Sequence, residues 1–268
     1  MSTSTARWIP PLVLGGAWQM AIDGWLHERG QAMLRVYRWS RPTLSLGAHQ
    51  QRLPAHWWAL QEQGLIELVR RPSGGRAVLH SGDLTYALVW PDPPGRRLEA
   101  YAEACRWLQA AFAELGQPLQ LGREPARGAA GGRRGGNCFA SGTAADLVHP
   151  DGSKRIGSAQ YWRRGVLLQH GSIQLAPDRR LWRDLFGDDP PPLAPLPLAG
   201  QDLEDLLRRC ASQHLAPLAD LRERDLDAGE LAAIAGRLDA QRPSPVDGET
   251  SPDRTMPRTT DSRASPSG

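Results

Sequence analysis

Lysine is almost missing from this chain. Of its 32 lysine and arginine residues only Lys154 is lysine; the rest are arginine. Codon usage in an Arg-, Ala-, Gly- and Pro-rich sequence accounts for the skew. Arginine replaces lysine wherever only a positive charge is needed. It does not replace an amine that must lose its proton or act as a compact point charge. The surviving lysine is therefore a candidate functional residue. Long apolar runs are absent too: no stretch of about 18 apolar residues exists, which excludes a membrane-spanning helix. Nothing at the start reads as a signal peptide. Cysteine is scarce. Cys105, Cys138 and Cys210 are odd in number and far apart, which excludes a CxxC metal spacing and a disulfide framework. A reducing cytoplasm is the expected compartment. The formal charge of +3 is too small to argue for nucleic acid by itself.

What is present suits one domain of ordinary size with a small extension: 268 residues, 40% hydrophobic. Residues 15–30 predict a helix, with Ala17, Met20, Ala21, Trp25 and Leu26 on an apolar stripe and Gly30 at its stop. Strands are expected at 33–39, 43–47, 64–69, 76–80 and 84–90, and a short helix at 54–64. A helix over 97–116 places Leu98, Tyr101, Ala102, Cys105, Leu108, Phe112 and Leu115 on one side. Residues 144–149 and 154–162 predict a hairpin, followed by a strand at 165–175 and small helices near 201–212 and 228–240. Strands in pairs, with helices between blocks, argue for an α+β fold with a largely antiparallel or mixed sheet flanked by helices. The expected division is a catalytic domain over 1–187, a Pro-rich linker over 188–200 and a small helical segment over 201–240. A disordered tail over 241–268 completes it.

Two stretches and one cysteine carry candidate chemistry. RRPSGGRAVLHSGDLTY (70–86) puts consecutive glycines after a strand, where backbone N–H groups can approach a ligand; a plain glycine turn reads equally from spacing. It lacks the Lys-Ser/Thr of a phosphate-binding Walker loop. GREPARGAAGGRRGGNCF (122–139) is a glycine-rich loop that could shield a substrate, form a flexible insertion or bind single-stranded nucleic acid. It lacks interleaved aromatics, which argues against nucleic acid as a partner. Cys105 falls on the apolar face of a helix and Cys210 in a late helix. Cys138 follows the glycine loop, where a thiol is accessible and becomes nucleophilic beside a cation. His80, His170 and Lys154 are the candidate partners. In a simple hairpin Lys154 stands opposite residue 148, so contact with Cys138 requires residues 138–143 to fold back over the sheet.

LSLGAHQ (44–50), RRPSGGRAVLHSGDLTYALV, DGSKRIGSAQ and LLQHGSI occur in this order. Together they resemble the biotin/lipoate protein ligase catalytic family over residues 7–187. NCF with DGSK and IGSAQ looks like its octanoyltransferase branch of the LipM type, in wording similar to cyanobacterial versions. The resemblance implies a ligase-like (class II synthetase-like) catalytic domain. It also implies transfer of octanoate from acyl carrier protein, through a cysteine thioester, to a lysine of a lipoyl domain or of the glycine-cleavage H protein. Cys138 matches the acyl-carrying cysteine and Lys154 the lysine that lowers its pKa and holds the acyl carbonyl. Arg71, Ser73, Gly74, Gly75, Ala77 and His80 match one wall of the substrate pocket, Gly157, Ser158 and Ala159 the other, with His170 beside them. No cofactor or metal is implied, and no membrane partner. The alternatives are an ATP-dependent lipoate ligase, in which ATP and Mg would be needed, and a non-catalytic RNA-binding or scaffold protein. The Arg/Gly loop and the chain after 187 have no counterpart in the resemblance.

Overall fold

The computed structural model of the chain describes residues 5–122 and 146–243. The first half contains β1 (Ala6–Leu14), α1 (Gly16–Arg29), β2 (Met33–Trp39), β3 (Thr43–Leu46), α2 (Ala55–Glu62), β4 (Glu67–Arg70), β5 (Val78–His80) and β6 (Asp83–Pro91). Then come α3 (Arg97–Glu114), β7 (Gln120–Leu121), β8 (Asp146–Val148), β9 (Lys154–Arg163), β10 (Val166–Gln174) and α4 (Arg179–Phe186). The last described elements are α5 (Gly200–His214), β11 (Leu221–Glu223) and α6 (Ala228–Ala235).

Eight strands form the main sheet, in the order β11-β1-β2-β6-β10-β9-β8-β7. β1 runs parallel to β2 and β11, and the other neighbours are antiparallel. A second sheet, β4-β3-β5, is also mixed. The α+β expectation with a mixed sheet therefore describes the molecule. On one face of the main sheet, α3 and α5 bury Trp107, Leu108, Phe112, Leu207 and Cys210 against Leu34, Tyr86 and Ile156. On the other face lie α1, which packs Met20, Ile22 and Trp25 against Met33 and Val89, and the small sheet with its own core around Trp57 and Trp182.

Helix α1 shows how distant sequence fixes one element. Its first turn has no acidic residue of its own. The Glu67 carboxylate of β4 accepts from the backbone N–H groups of Gly16 and Ala17, at 2.7 and 3.1 Å. That satisfies two otherwise orphaned donors and puts a negative charge at the positive end of the helix dipole. Gly30 ends the helix in the left-handed conformation, φ 64°.

Several elements differ from the sequence reading. β1 was not expected, because Pro10 and Pro11 interrupt it. The register between β1 and β2 shifts between Ile9 and Leu12, so the prolines sit at an irregularity where no ladder donor is required. α4 and β11 were not expected either; Asp178 caps α4 by accepting from Leu181 N at 3.0 Å. The apolar stripe of α3 starts one turn later than its spacing suggests: Leu98 is 76% exposed. Beyond residue 187, α5 packs on α3, α6 packs on α1 and β11 pairs with β1. Residues 244–268 of the expected tail lie outside the described residues.

Candidate active site

A cavity of about 440 Å³ opens between the main sheet and the small sheet. Its floor is Tyr37 and Trp39 of β2, Thr85 of β6, His170, Gly171 and Ser172 of β10, and Gly157, Ser158, Ala159 and Gln160 of β9. Its roof is Ser45 of β3, Arg71, Gly74, Gly75 and Arg76, and Val78 and His80. The PSGG loop comes so close to β3 that a Cβ on Gly47 would stand 2.0 Å from the carbonyl oxygen of Gly75. Glycine is therefore required at that crossing, and it holds the loop down as the roof. On the floor, a Cβ on Gly171 would meet Ser158 Oγ and a carbon of the Tyr86 ring, both at 2.6 Å.

Two histidines on the cavity wall are each held by a buried carboxylate. His80 Nδ1 lies 2.8 Å from Asp83 Oδ2, and its Nε2 lies 2.8 Å from Ser45 Oγ. His170 Nδ1 lies 3.1 Å from Asp23 Oδ2, and its Nε2 lies 2.5 Å from Ser73 Oγ. A carboxylate facing Nδ1 fixes the proton there and leaves Nε2 to accept from the serine hydroxyl. Ser45 is on the roof and Ser73 lies just behind it, so each relay ties the roof side to the floor. Thr85 and Ser172 also donate to Asp83, at 3.1 and 2.6 Å. Arg35 Nε, 3.0 Å away, balances the Asp23 charge, and Tyr37 donates to Asp23 at 3.0 Å. Burial pushes the Tyr37 hydroxyl well above its ordinary value of 10, so it stays a neutral donor. Trp39 stacks on His80 at 4.1 Å and donates to Thr85 at 2.8 Å.

Lys154 reaches the cavity through its partner Asp146. Its Nζ lies 2.7 Å from Oδ1 of Asp146, which borders the cavity, and both side chains are under 5% exposed. Regular alternation along β9 would send Lys154 to the same face as Ile156, into the core beneath α3. A bulge prevents this. Leu147 pairs with Ile156 but Val148 pairs with Lys154, so Arg155 is an extra residue on β9. The bulge turns Lys154 to the side of Asp146, and re-aiming one side chain beside a site is a known use of such bulges. Arg155 is buried and anchored instead, donating to the carbonyls of Gln174 and Ala194 and to Gln117 Oε1. β7 and β8 bracket residues 123–145, and Gly122 N donates to Asp146 O at 2.8 Å. Gly122 and Asp146, the described residues on either side of that segment, therefore meet beside Lys154.

The structure places Arg71, Gly74, Gly75, His80, Gly157, Ser158, Ala159 and His170 together around one cavity. Ser73 is fully buried behind the roof, against His170, and Ala77 packs in the core of the small sheet. Cys138 lies outside the described residues. Sequence reasoning missed Asp146, Asp23 and Asp83, and also Ser45, Tyr37, Trp39 and Met20 of the cavity wall. A signal existed for Asp23: it is an acidic residue among the apolar positions of α1, one turn after Met20. No such signal marks Asp146. No cluster of three potential metal ligands occurs among the described residues, and no helix among them is long and apolar enough to cross a membrane.

Comparison with known proteins adds four findings. The family model of the lipoyl protein ligase A/B catalytic domain matches residues 16–190. An octanoyltransferase LipM of Kyrpidia tusciae is 35% identical over 245 residues, 83% of this chain and 85% of that protein. A second octanoyltransferase LipM, from Halalkalibacterium halodurans, is 31% identical over 80% of this chain and 78% of its own. Among solved structures, a bi-partite lipoate protein ligase from Thermoplasma acidophilum, studied with its E2 lipoyl domain, superposes with a TM-score of 0.67. It is 17% identical and covers 88% of this chain and 92% of its own, a likeness of fold.

Proposed function

The chain belongs to the lipoyl protein ligase A/B catalytic domain family, and from that premise we propose that it is an octanoyltransferase of lipoate biosynthesis. The acceptor is a lipoyl-domain protein. More finely, octanoyl leaves octanoyl-acyl carrier protein, rides on Cys138 and ends on a lysine of a lipoyl domain or of the glycine-cleavage H protein. The observation that carries this reading is a mainly apolar cavity bordered by Asp146, which a buried ion pair ties to Lys154.

The chemistry runs in two exchanges. The Cys138 thiolate attacks the thioester carbonyl of the donor; a C–S bond forms, the carrier's thiolate leaves and takes up a proton. The neutral amine of the acceptor lysine then attacks the new thioester. A C–N bond forms, the Cys138 thiolate leaves, and the proton shed by the amine goes to it or to solvent. Lys154 supplies the positive charge that favours a thiolate and stabilises the oxyanion of each tetrahedral state. Asp146 orients it. The alkyl chain extends along Gly157, Ser158 and Ala159 beneath the PSGG roof. Each exchange starts from an acyl group that is already activated, so no nucleotide is required.

The test is transfer from octanoyl-carrier protein to a lipoyl domain in nucleotide-free buffer. The wild-type chain is expected to form the amide, and Cys138→Ala to form none. An active Cys138→Ala variant, or activity that appears only with ATP and releases pyrophosphate from free acid, contradicts the reading and favours a ligase.

A further inference from the structure

A second cavity, of about 300 Å³, lies behind the far end of the acyl cavity. The run of β9 fixes the order. Lys154 marks the reacting end, Gly157 to Gln160 line the acyl cavity, and Tyr161 and Arg163 line the second one. Among the described residues, Met20 and Arg71 are the two that border both. Arg71 is a fixed wall: its guanidinium donates to the carbonyl oxygens of Ser45, Gly74 and Arg76 at 2.7, 2.9 and 2.7 Å. Met20 is 2% exposed, projects from α1 and is the deformable half of the partition.

Length agrees with this placement. From Gly157 to Gln160 is three steps of strand, about 10 Å, which is close to the reach of an extended octanoyl chain. With the carbonyl at the Lys154 end, the terminal methyl group arrives at Met20. We propose that Met20 is the end wall that sets acyl-chain length, and that the space behind it is where a longer chain would go. The inference rests on the acyl-transfer reading above and deepens it. A single methylene in an apolar pocket changes discrimination about 10-fold or more, so a wall one side chain thick is enough to set a preference.

The experiment compares kcat/KM for hexanoyl-, octanoyl- and dodecanoyl-carrier protein with the full chain. Met20→Ala is expected to raise the dodecanoyl-to-octanoyl ratio at least about 10-fold, and Met20→Phe to move the preference toward hexanoyl. Gly24 supplies a refilling control. It lines the second cavity, and a Cβ there meets nothing within 4 Å. Met20→Ala combined with Gly24→Leu is therefore expected to restore the octanoyl preference. Unchanged ratios in Met20→Ala and Met20→Phe, with thermal midpoints near the wild-type value, overturn the inference. A wild-type chain that transfers no acyl group from any carrier overturns the acyl-transfer reading instead.

Discussion

At the scale of single residues, the proposed mechanism turns on one amine that arginine has not replaced. Lys154 and Asp146 are buried together, so each charge is compensated where an isolated one would be costly to hold. A guanidinium at position 154 keeps the charge but is planar, larger and bound to its proton. Under the proposed mechanism it cannot place a compact donor at the oxyanion. Lys154→Arg is therefore expected to fold and to lose at least about 100-fold in single-turnover transfer, the usual cost of removing one oxyanion donor. Transfer at the wild-type rate would show that the lysine is incidental. The scarcity of lysine pointed to this residue before any contact was known. Its partner Asp146 was not legible, because the pair forms only when β8 meets β9 in a bulged register. The histidines stood out in strand patterns, but the carboxylates that orient them did not. Asp23 and His170 are 147 residues apart, and no local pattern links them.

At the scale of elements, strands and helices with clean periodicity were readable. α1, β2, β6, α3 and β10 lie within a few residues of where spacing puts them. Elements that owe their form to a partner were not. β1 carries two prolines and is a strand because β2 and β11 flank it. The bulge in β9 has no signature in KRIGSAQ. The chain beyond 187 has a similar dependence. Arg7 of β1 grips Glu230 of α6 through its two terminal guanidinium nitrogens, each at 2.8 Å, which ties α6 to the sheet. Arg7 holds the Glu230 carboxyl below its ordinary value of 4.5. A depressed carboxylate contributes stability above its unfolded pKa and loses it as pH falls through the folded one. Glu230→Gln is thus expected to lower the thermal midpoint at pH 7, with the gap to wild type closing as the pH falls below about 4. A gap that stays constant from pH 7 to pH 3 would show that the ion pair contributes nothing.

At the scale of the whole molecule, the cavity is assembled from β2, β3, β5, β6, β9, β10 and the PSGG loop, with Met20 of α1 and Asp146 of β8 also on its wall. The motif order LSLG, RRPSGG, DGSK and LLQHGS runs along the cavity: LSLG, RRPSGG and LLQHGS supply wall residues, and DGSK supplies Lys154, which pairs with Asp146 on the border. It did not show that two sheets face each other, nor that two Asp–His–Ser relays bind roof to floor. Three cysteines then leave one candidate acyl carrier. Burial pushes the Cys105 thiol up to about 12 and the Cys210 thiol up to about 11, so neither forms a useful thiolate near neutral pH. Peptide mass mapping after brief incubation with octanoyl-carrier protein, without nucleotide, tests the account most directly. It predicts one octanoyl thioester, on Cys138, that disappears when a lipoyl domain is added; an adduct on Cys105 or Cys210, or full transfer with no covalent intermediate on Cys138, would contradict it.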